Sequence, residues 1–216
     1  MQNFKSLSQR IGLSGISLVF VCLLILGVSA FTYKDRFKQE NSQAQDKVVE
    51  HVSVPNQPVQ ILNTNLLGKS FKLGEKIDGD DDWLKSLSLK VKNVSNKPIT
   101  YIGMYYTFPE TKASGNMMVF PVRYGQNKRI AIVTDEPKLL MPGDAVDMAL
   151  SAAQYAKLKS FIERRHQLIN IHKIKVELVE IHFEDGTVWN GGNLYRIDAN
   201  NPQKLIPLSN SSTSKN

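Results

Sequence analysis

Cysteine is almost absent from this sequence, since Cys22 is the only one and lies in an apolar N-terminal run. An intramolecular disulfide and a cysteine-ligated metal site are therefore excluded. The sequence also lacks His-x-x-x-His spacing, a nucleophile motif, a glycine-rich phosphate loop and internal repeats. We expect its few histidines to lie at the surface or at strand edges: His51, His166, His172 and His182.

A strong excess of one charge is missing as well. The formal charge is +7, and the basic residues are scattered along the chain instead of forming a stripe. Such a distribution is typical of a solvated surface, so we expect no nucleic-acid partner.

The N-terminal region contains the longest apolar run. Residues 11–33 carry no charged side chain, follow a basic leader (1–10) and end before Lys34. About 20 apolar residues suffice to span a bilayer as a helix. We predict an uncleaved signal anchor with a single pass through the cell membrane and the rest of the chain outside the cytoplasm. The alternative is a signal peptide cleaved at Ala30, which would give a secreted protein.

Composition divides the remaining chain into three parts. Residues 34–58 are polar and include two prolines, which predicts a stalk with a candidate strand at 48–54. Residues 59–206 carry the patterns of a folded domain. Residues 207–216 are rich in Asn and Ser and are predicted to be disordered.

The clearest β pattern lies at residues 171–198. Apolar side chains alternate with Lys and Glu up to Leu178, and then continue on the opposite parity through Phe183. Alternation predicts a half-buried strand, and the change of parity predicts a bulge or burial on both faces. Asp185-Gly186 favours a tight hairpin turn, with Trp189 on the return strand. We expect this hairpin to belong to the core.

Shorter patterns predict further strands and one helix. The predicted strands lie at 59–62, around Phe71, and at 84–94, 99–108, 117–122 and 146–150. Ser151 and Gln154 form a capping box before a helix predicted for residues 151–165. Its apolar stripe is expected to pack on the sheet: Tyr155, Leu158, Phe161 and Ile162.

Many short strands with one helix are typical of an antiparallel β-sandwich of immunoglobulin-like type. The turns Val91-Lys92-Asn93-x-Ser95-x-Lys97-Pro98-Ile99 and Leu140-x-Pro142-Gly143-Asp144 resemble those of bacterial extracytoplasmic immunoglobulin-like domains. Phe183-x-Asp185-Gly186-Thr187-x-Trp189, with Tyr195-Arg196, is similar to uncharacterised exported or membrane-anchored bacterial proteins of that type. The resemblance covers residues 84–206 and implies a fold but no active site.

One acidic stretch resembles the start of a calcium loop. Asp78, Asp80 and Asp82 alternate, and hard cations bind several carboxylate oxygens. However, Trp83 occupies the position where such a loop has glycine, and Leu89 the position of its bidentate glutamate. An exposed acidic turn before a strand is the stronger interpretation, so we expect neither a metal nor a cofactor.

These observations favour a membrane-anchored, non-catalytic module that binds a protein or envelope component. An exposed aromatic face or an open edge strand would suit that function. The alternative is an extracytoplasmic, hydrolase-like enzyme whose site is assembled from residues scattered along the sequence. A pocket with convergent carboxylates or histidines would favour the enzyme.

Overall fold

The alternating apolar and polar residues fold into two β-sheets accompanied by one described α-helix. A computed structural model describes residues 45–130 and 139–208, which fall within the unit Gln45–Asn216. Within these ranges, no helix combines the length and hydropathy needed to cross a membrane. The predictions for the leader, the apolar run, cleavage at Ala30 and the first part of the stalk lie outside the described residues, as does most of the predicted tail, from residue 209. The first two residues of that predicted tail, 207 and 208, are described, and Pro207 ends a short strand.

The described chain contains twelve strands and one α-helix, α1, at Ala152–His166. Two 3-10 helices lie at Trp83–Lys85 and Pro109–Ser114. The strands are β1 (Gln45–Val52), β2 (Val59–Leu66), β3 (Lys69–Phe71), β4 (Lys76–Gly79), β5 (Leu87–Asn93), β6 (Ile99–Phe108), β7 (Met118–Gly125), β8 (Ala145–Ala149), β9 (Lys173–Phe183), β10 (Thr187–Asn190), β11 (Asn193–Ile197) and β12 (Leu205–Pro207).

Strand β9 runs through the middle of the larger sheet. One edge of β9 pairs with β6, and β7 follows β6. The other edge is shared, because β1 pairs with residues 173–177 and β10 with residues 180–182. β4 continues the sheet beyond β1, while β11 and β12 continue it beyond β10. The smaller sheet has the order β3-β2-β5-β8.

The parity change in β9 is a β-bulge at Val179. Gly103 pairs with Glu180 and Met104 pairs with Leu178, which leaves Val179 without a partner on β6. The core-facing positions therefore shift by one residue, as the sequence predicted. Buried side chains precede and follow the bulge: Ile174, Val176, Ile181 and Phe183.

One strand pair departs from the antiparallel arrangement that we expected. β1 and β9 pair in parallel, while every other pair of named strands that the structure describes is antiparallel. Parallel pairing requires a long connection between the strands, and here most of the domain lies between them. β1 also overlaps the candidate strand at 48–54, so residues 45–52 of the predicted stalk pair into the sheet.

Apolar side chains from both sheets form one shared core. Leu89 and Val91 of β5 belong to the same buried cluster as Ile102 of β6 and Val176 of β9. The predicted burial of Val176, Phe183 and Trp189 is confirmed. The described chain is therefore a mostly β structure with two sheets over a common core, compatible with a β-sandwich.

Helix α1 begins at the predicted cap. The Ser151 hydroxyl accepts a hydrogen bond from Gln154 N at 3.2 Å, and the Gln154 side chain accepts one from Ser151 N at 2.8 Å. Three residues of the predicted stripe are buried: Tyr155, Leu158 and Ile162. Phe161 differs, since it is 42% exposed and faces a groove instead of the core.

Residues 118–123 of strand β7 form the longest free sheet edge in the described part of the chain, since this stretch pairs there with β6 alone. Gln126 N donates to Thr100 O at 3.0 Å and continues the β6–β7 ladder. Bonded pairs alternate along such a ladder, so the main-chain groups of Val119, Pro121 and Arg123 point to the free edge. Pro121 has no N–H there, which is the place where a strand tolerates proline.

Candidate functional site

The acidic stretch, residues 78–82, contacts α1 through Asp82. Asp78 lies on β4 opposite Asp46, whereas the Asp82 carboxylate accepts hydrogen bonds from the Tyr155 hydroxyl at 2.6 Å and Lys159 Nζ at 2.5 Å. These two donors hold the pKa of Asp82 below its usual value. Asp80 accepts a hydrogen bond from Asp82 N. Among the described residues, no three acidic, histidine or cysteine side chains are grouped to hold a metal.

The histidine expectation was wrong for His182, which is buried on β9. The bulge at Val179 places Glu180 and His182 on the sheet face opposite the core, because Ile181 and Phe183 take the core positions. The Tyr101 ring covers His182, with their ring centroids 5.0 Å apart. An outward-facing histidine thus becomes buried through a neighbouring strand, which sequence spacing does not reveal.

Glu180 is the centre of a polar cluster on this face. One carboxylate oxygen contacts His182 Nε2 and accepts from Asn127 Nδ2 at 3.3 Å. The other accepts from Arg129 Nη1 at 2.7 Å and Asn190 Nδ2 at 3.2 Å. Burial by itself raises the pKa of this carboxyl, but His182 and Arg129 outweigh it and lower the pKa to about 2. The carboxylate is therefore ionised at neutral pH and already bonded to four groups.

The cluster fastens the chain that follows β7 to the sheet. Arg129 also donates to Gln203 O at 2.7 Å, so it links β9 to the segment before β12. Gly103 leaves room for Tyr101, because a Cβ at Gly103 would lie 3.0 Å from the Tyr101 ring. The space that remains is a shallow cavity of about 370 Å³. This arrangement stabilises the fold and offers no free carboxylate for acid–base catalysis.

A second polar contact joins Ser114 to α1. Ser114 Oγ lies 2.7 Å from His166 Nδ1 and 3.0 Å from Thr111 O. A serine nucleophile needs a histidine that is itself oriented by a third group. In the part of the chain that the structure describes, no carboxylate hydrogen-bonds to His166. The contact therefore connects the 3-10 helix to the last turn of α1.

A larger recess lies between β7 and α1. It is an open groove of about 810 Å³, called here the β7–α1 groove. Its side chains are apolar or basic with a few amides, and none is acidic: Asn116, Met117, Met118, Val119, Phe120, Pro121, Arg123, Gln154, Lys157, Phe161, Arg165 and His166.

The groove and the cavity beside Glu180 meet at Pro121 and Arg123, which line both. Large apolar side chains are exposed along this joined surface: Tyr105, Met117, Val119, Ile130 and Phe161. Contiguous apolar side chains bordered by polar ones mark interaction sites. Of the aromatic residues in the sequence, Tyr106, Phe108 and Trp189 are buried and unavailable for such a face.

Comparisons with models of protein families, with curated proteins and with solved structures found no match. We therefore infer function from the geometry of the described residues.

The β7–α1 groove is the site that sequence reasoning missed. Its two walls, β7 and α1, lie about 40 residues apart along the chain, and each wall taken alone follows an ordinary amphipathic pattern. The available signal was Phe161, which widens the apolar stripe of α1 beyond the three residues that the core buries. An apolar residue at the margin of a helical stripe is a weak indicator of a second contact surface.

Proposed function

We propose that this protein is a non-catalytic interaction module, anchored in the cell membrane by residues 11–33 and displayed outside the cytoplasm for a protein or envelope component. The observation that carries the proposal is the β7–α1 groove, with its exposed apolar side chains and basic rim. Residues such as Met117 and Phe161 are 48% and 42% exposed. A partner that covered them would remove apolar area from water, which is the main source of association energy.

The polar clusters support a module over an enzyme. Glu180 is saturated by four donors, and its lowered pKa is unsuited to proton transfer near neutral pH. Ser114 and His166 form a pair without the third group that orients a catalytic histidine. No observation among the described residues favours the hydrolase alternative.

The proposed fold of the module is an immunoglobulin-like sandwich. Two sheets over one core, many short strands and buried Trp189 support this choice. The parallel β1–β9 pair adds the N-terminal strand to the larger sheet. Membrane display rests on the uncharged run at 11–33, which directly precedes a polar segment. A mature N-terminus at Phe31 would remove the anchor from this proposal.

Site-specific photocrosslinking in native membranes tests the function. A photoreactive amino acid replaces Phe161 in the groove, and in the matched control it replaces Leu62, which is 47% exposed on β2 of the other sheet. We expect a discrete crosslinked species from position 161 and none from position 62. Equal labelling at both positions would contradict an interaction site at the groove. Turnover in a broad hydrolase screen that Ser114→Ala abolishes would replace the module with an enzyme.

A further inference from the structure

We infer that the β7–α1 groove binds an extended segment of a partner protein in which two acidic residues, four positions apart, flank an apolar residue midway between them. The inference rests on the proposed function and specifies the chemistry of the partner. It follows from the charges of the groove, the spacing of residues on α1 and the free main-chain groups of β7.

The charge of the groove selects an acidic partner. Arg123, Lys157 and Arg165 line it, and no carboxylate does. In the described chain, none of these three cations forms an ion pair, whereas Lys159 on the same helix is paired with Asp82. Cations without a carboxylate partner beside a recess steer and orient an oppositely charged binding partner.

The spacing of side chains on α1 sets the pattern of the segment. Lys157, Phe161 and Arg165 follow one another at four-residue intervals and therefore share a helix face. Eight residues of helix rise about 12 Å. Four residues of an extended chain rise about 13 Å, with the first, third and fifth side chains on one side. Two acidic residues placed in this way reach Lys157 and Arg165, and the apolar residue between them reaches Phe161.

The opposite wall favours an extended segment over a helix. The main-chain groups of Val119 and Arg123 point to the free edge of β7, and Pro121 between them removes one donor. An extended segment can bond to these groups, whereas the main-chain groups of a helix are already used. Met117 and Val119 add to the apolar lining of the groove, and methionine adapts to differently shaped side chains. A concave surface of this kind also fits a peptide better than a flat lipid surface.

Fluorescence anisotropy with defined peptides tests the inference on the full chain held in phosphatidylcholine nanodiscs. The probe is a blocked peptide of nine residues with glutamate at its third and seventh positions, leucine at its fifth, and serine or threonine elsewhere. Three control peptides carry lysine for both glutamates, serine for the leucine, or glutamates moved to the fourth and sixth positions. We expect each control to bind at least about tenfold more weakly than the probe, a difference of about 1.4 kcal/mol.

Matched charge variants of the protein locate the binding. Lys157→Glu combined with Arg165→Glu reverses the charge of the groove, and Lys69→Glu combined with Lys90→Glu makes the same change of charge on the other sheet, where both lysines are exposed. We expect the first pair to weaken probe binding at least about tenfold and to improve binding of the lysine peptide. The second pair should change probe affinity less than about twofold, because exposed charges far from a site are screened.

Failure of the probe to bind would overturn the inference, and so would equal losses of probe affinity in the two charge-variant pairs. Binding to phosphatidylglycerol vesicles that depends on Lys157 and Arg165, without binding of the probe, would instead identify an anionic lipid surface as the ligand. The photocrosslinking experiment keeps the two proposals separate. A persistent crosslink from position 161 without probe binding would reject the acidic segment and leave the interaction module standing. Loss of that crosslink would reject the module itself.

Discussion

At the scale of single residues, Glu180 shows how a charged side chain is tolerated on a partly covered sheet face. It is satisfied by donors from β9, β10 and the segment after β7. Removal of one partner of such a cluster costs more than the pair contributes, because a buried charge is left unpaired. The cluster therefore makes stability depend on pH.

We expect Glu180 to stabilise the protein above its unfolded pKa, near 4.5, and to lose this contribution as pH falls toward its folded pKa of about 2. A lowered carboxyl pKa means that the unfolded state binds the proton first, so acid favours unfolding. In Glu180→Gln, the fall in the free energy of unfolding between pH 7 and pH 3 should be smaller by about 2 kcal/mol. Denaturant titrations at the two pH values measure this difference.

Glu177→Gln is the matched control, since Glu177 lies on the same strand and forms no ion pair within the described residues. It should leave the pH dependence of the parent unchanged. Identical pH dependence in the parent and in Glu180→Gln would show that the cluster contributes nothing to acid stability.

Single residues also set the limit of sequence reasoning. Leu178 and Ile181 carry the parity change in the sequence itself, so the bulge between them was predictable. The burial of His182 was not, because it depends on Tyr101 from a strand that is remote in sequence. The contact of Ser114 with His166 is of the same long-range kind.

At the scale of elements, the exit from β7 depends on one close approach. Gly125 has φ +70°, and a Cβ there would lie 2.1 Å from Thr100 O, a main-chain atom that cannot move away alone. Gly143 has φ +86° with open space around it. Substitution of Gly143 therefore tests the cost of a left-handed backbone alone, whereas substitution of Gly125 adds the cost of a steric clash.

We expect Gly125→Ala to lower the free energy of unfolding by about 3 kcal/mol or more, as the sum of backbone strain and overpacking. Gly143→Ala should cost about 1–2 kcal/mol from backbone strain alone. Denaturant midpoints of the two variants give the comparison. Equal losses would mean that β7 shifts away from β6 at little cost.

Elements whose signals are local were predicted well. Ser151 and Gln154 fixed the start of α1, and the alternation of residues 99–108 matched β6 at both ends. β1 was harder, because its apolar residues are few and its partner β9 lies at the other end of the domain. β4 was missed since its residues, Lys76–Gly79, show no apolar alternation and pair only with β1 in the described chain.

At the scale of the whole molecule, the shared core and the two sheets followed from pattern, whereas the β7–α1 groove did not. A groove forms where two elements meet, and sequence patterns describe each element separately. Phe161 illustrates this, because the same apolar residue suits a buried stripe and a binding surface. Phe161 is exposed because of the position of β7 relative to α1, and the sequence around Phe161 does not specify that position.

We expect Pro121→Val to increase self-association of the full chain, because valine restores an N–H at the free edge and favours extended pairing. Pro142→Val, in the exposed turn before β8, is the matched control and should leave self-association unchanged. Energy transfer between labelled copies in phosphatidylcholine vesicles measures the effect. No increase for Pro121→Val would mean that the edge is guarded by something other than the proline.

Pro121 on β7 has a consequence for copies of this protein that share one membrane. Copies anchored in one bilayer, as proposed here, collide far more often than the same number dispersed in solution, and all arrive in similar orientations. A continuous strand edge under those conditions would seed the growth of ribbons of identical chains. Pro121 breaks the ribbon at each copy, since a neighbour finds one donor missing in the middle of the strand. A short segment of a partner protein needs fewer main-chain hydrogen bonds and can still bind. Pro121 therefore permits binding of a partner segment while it disfavours pairing between copies of this chain.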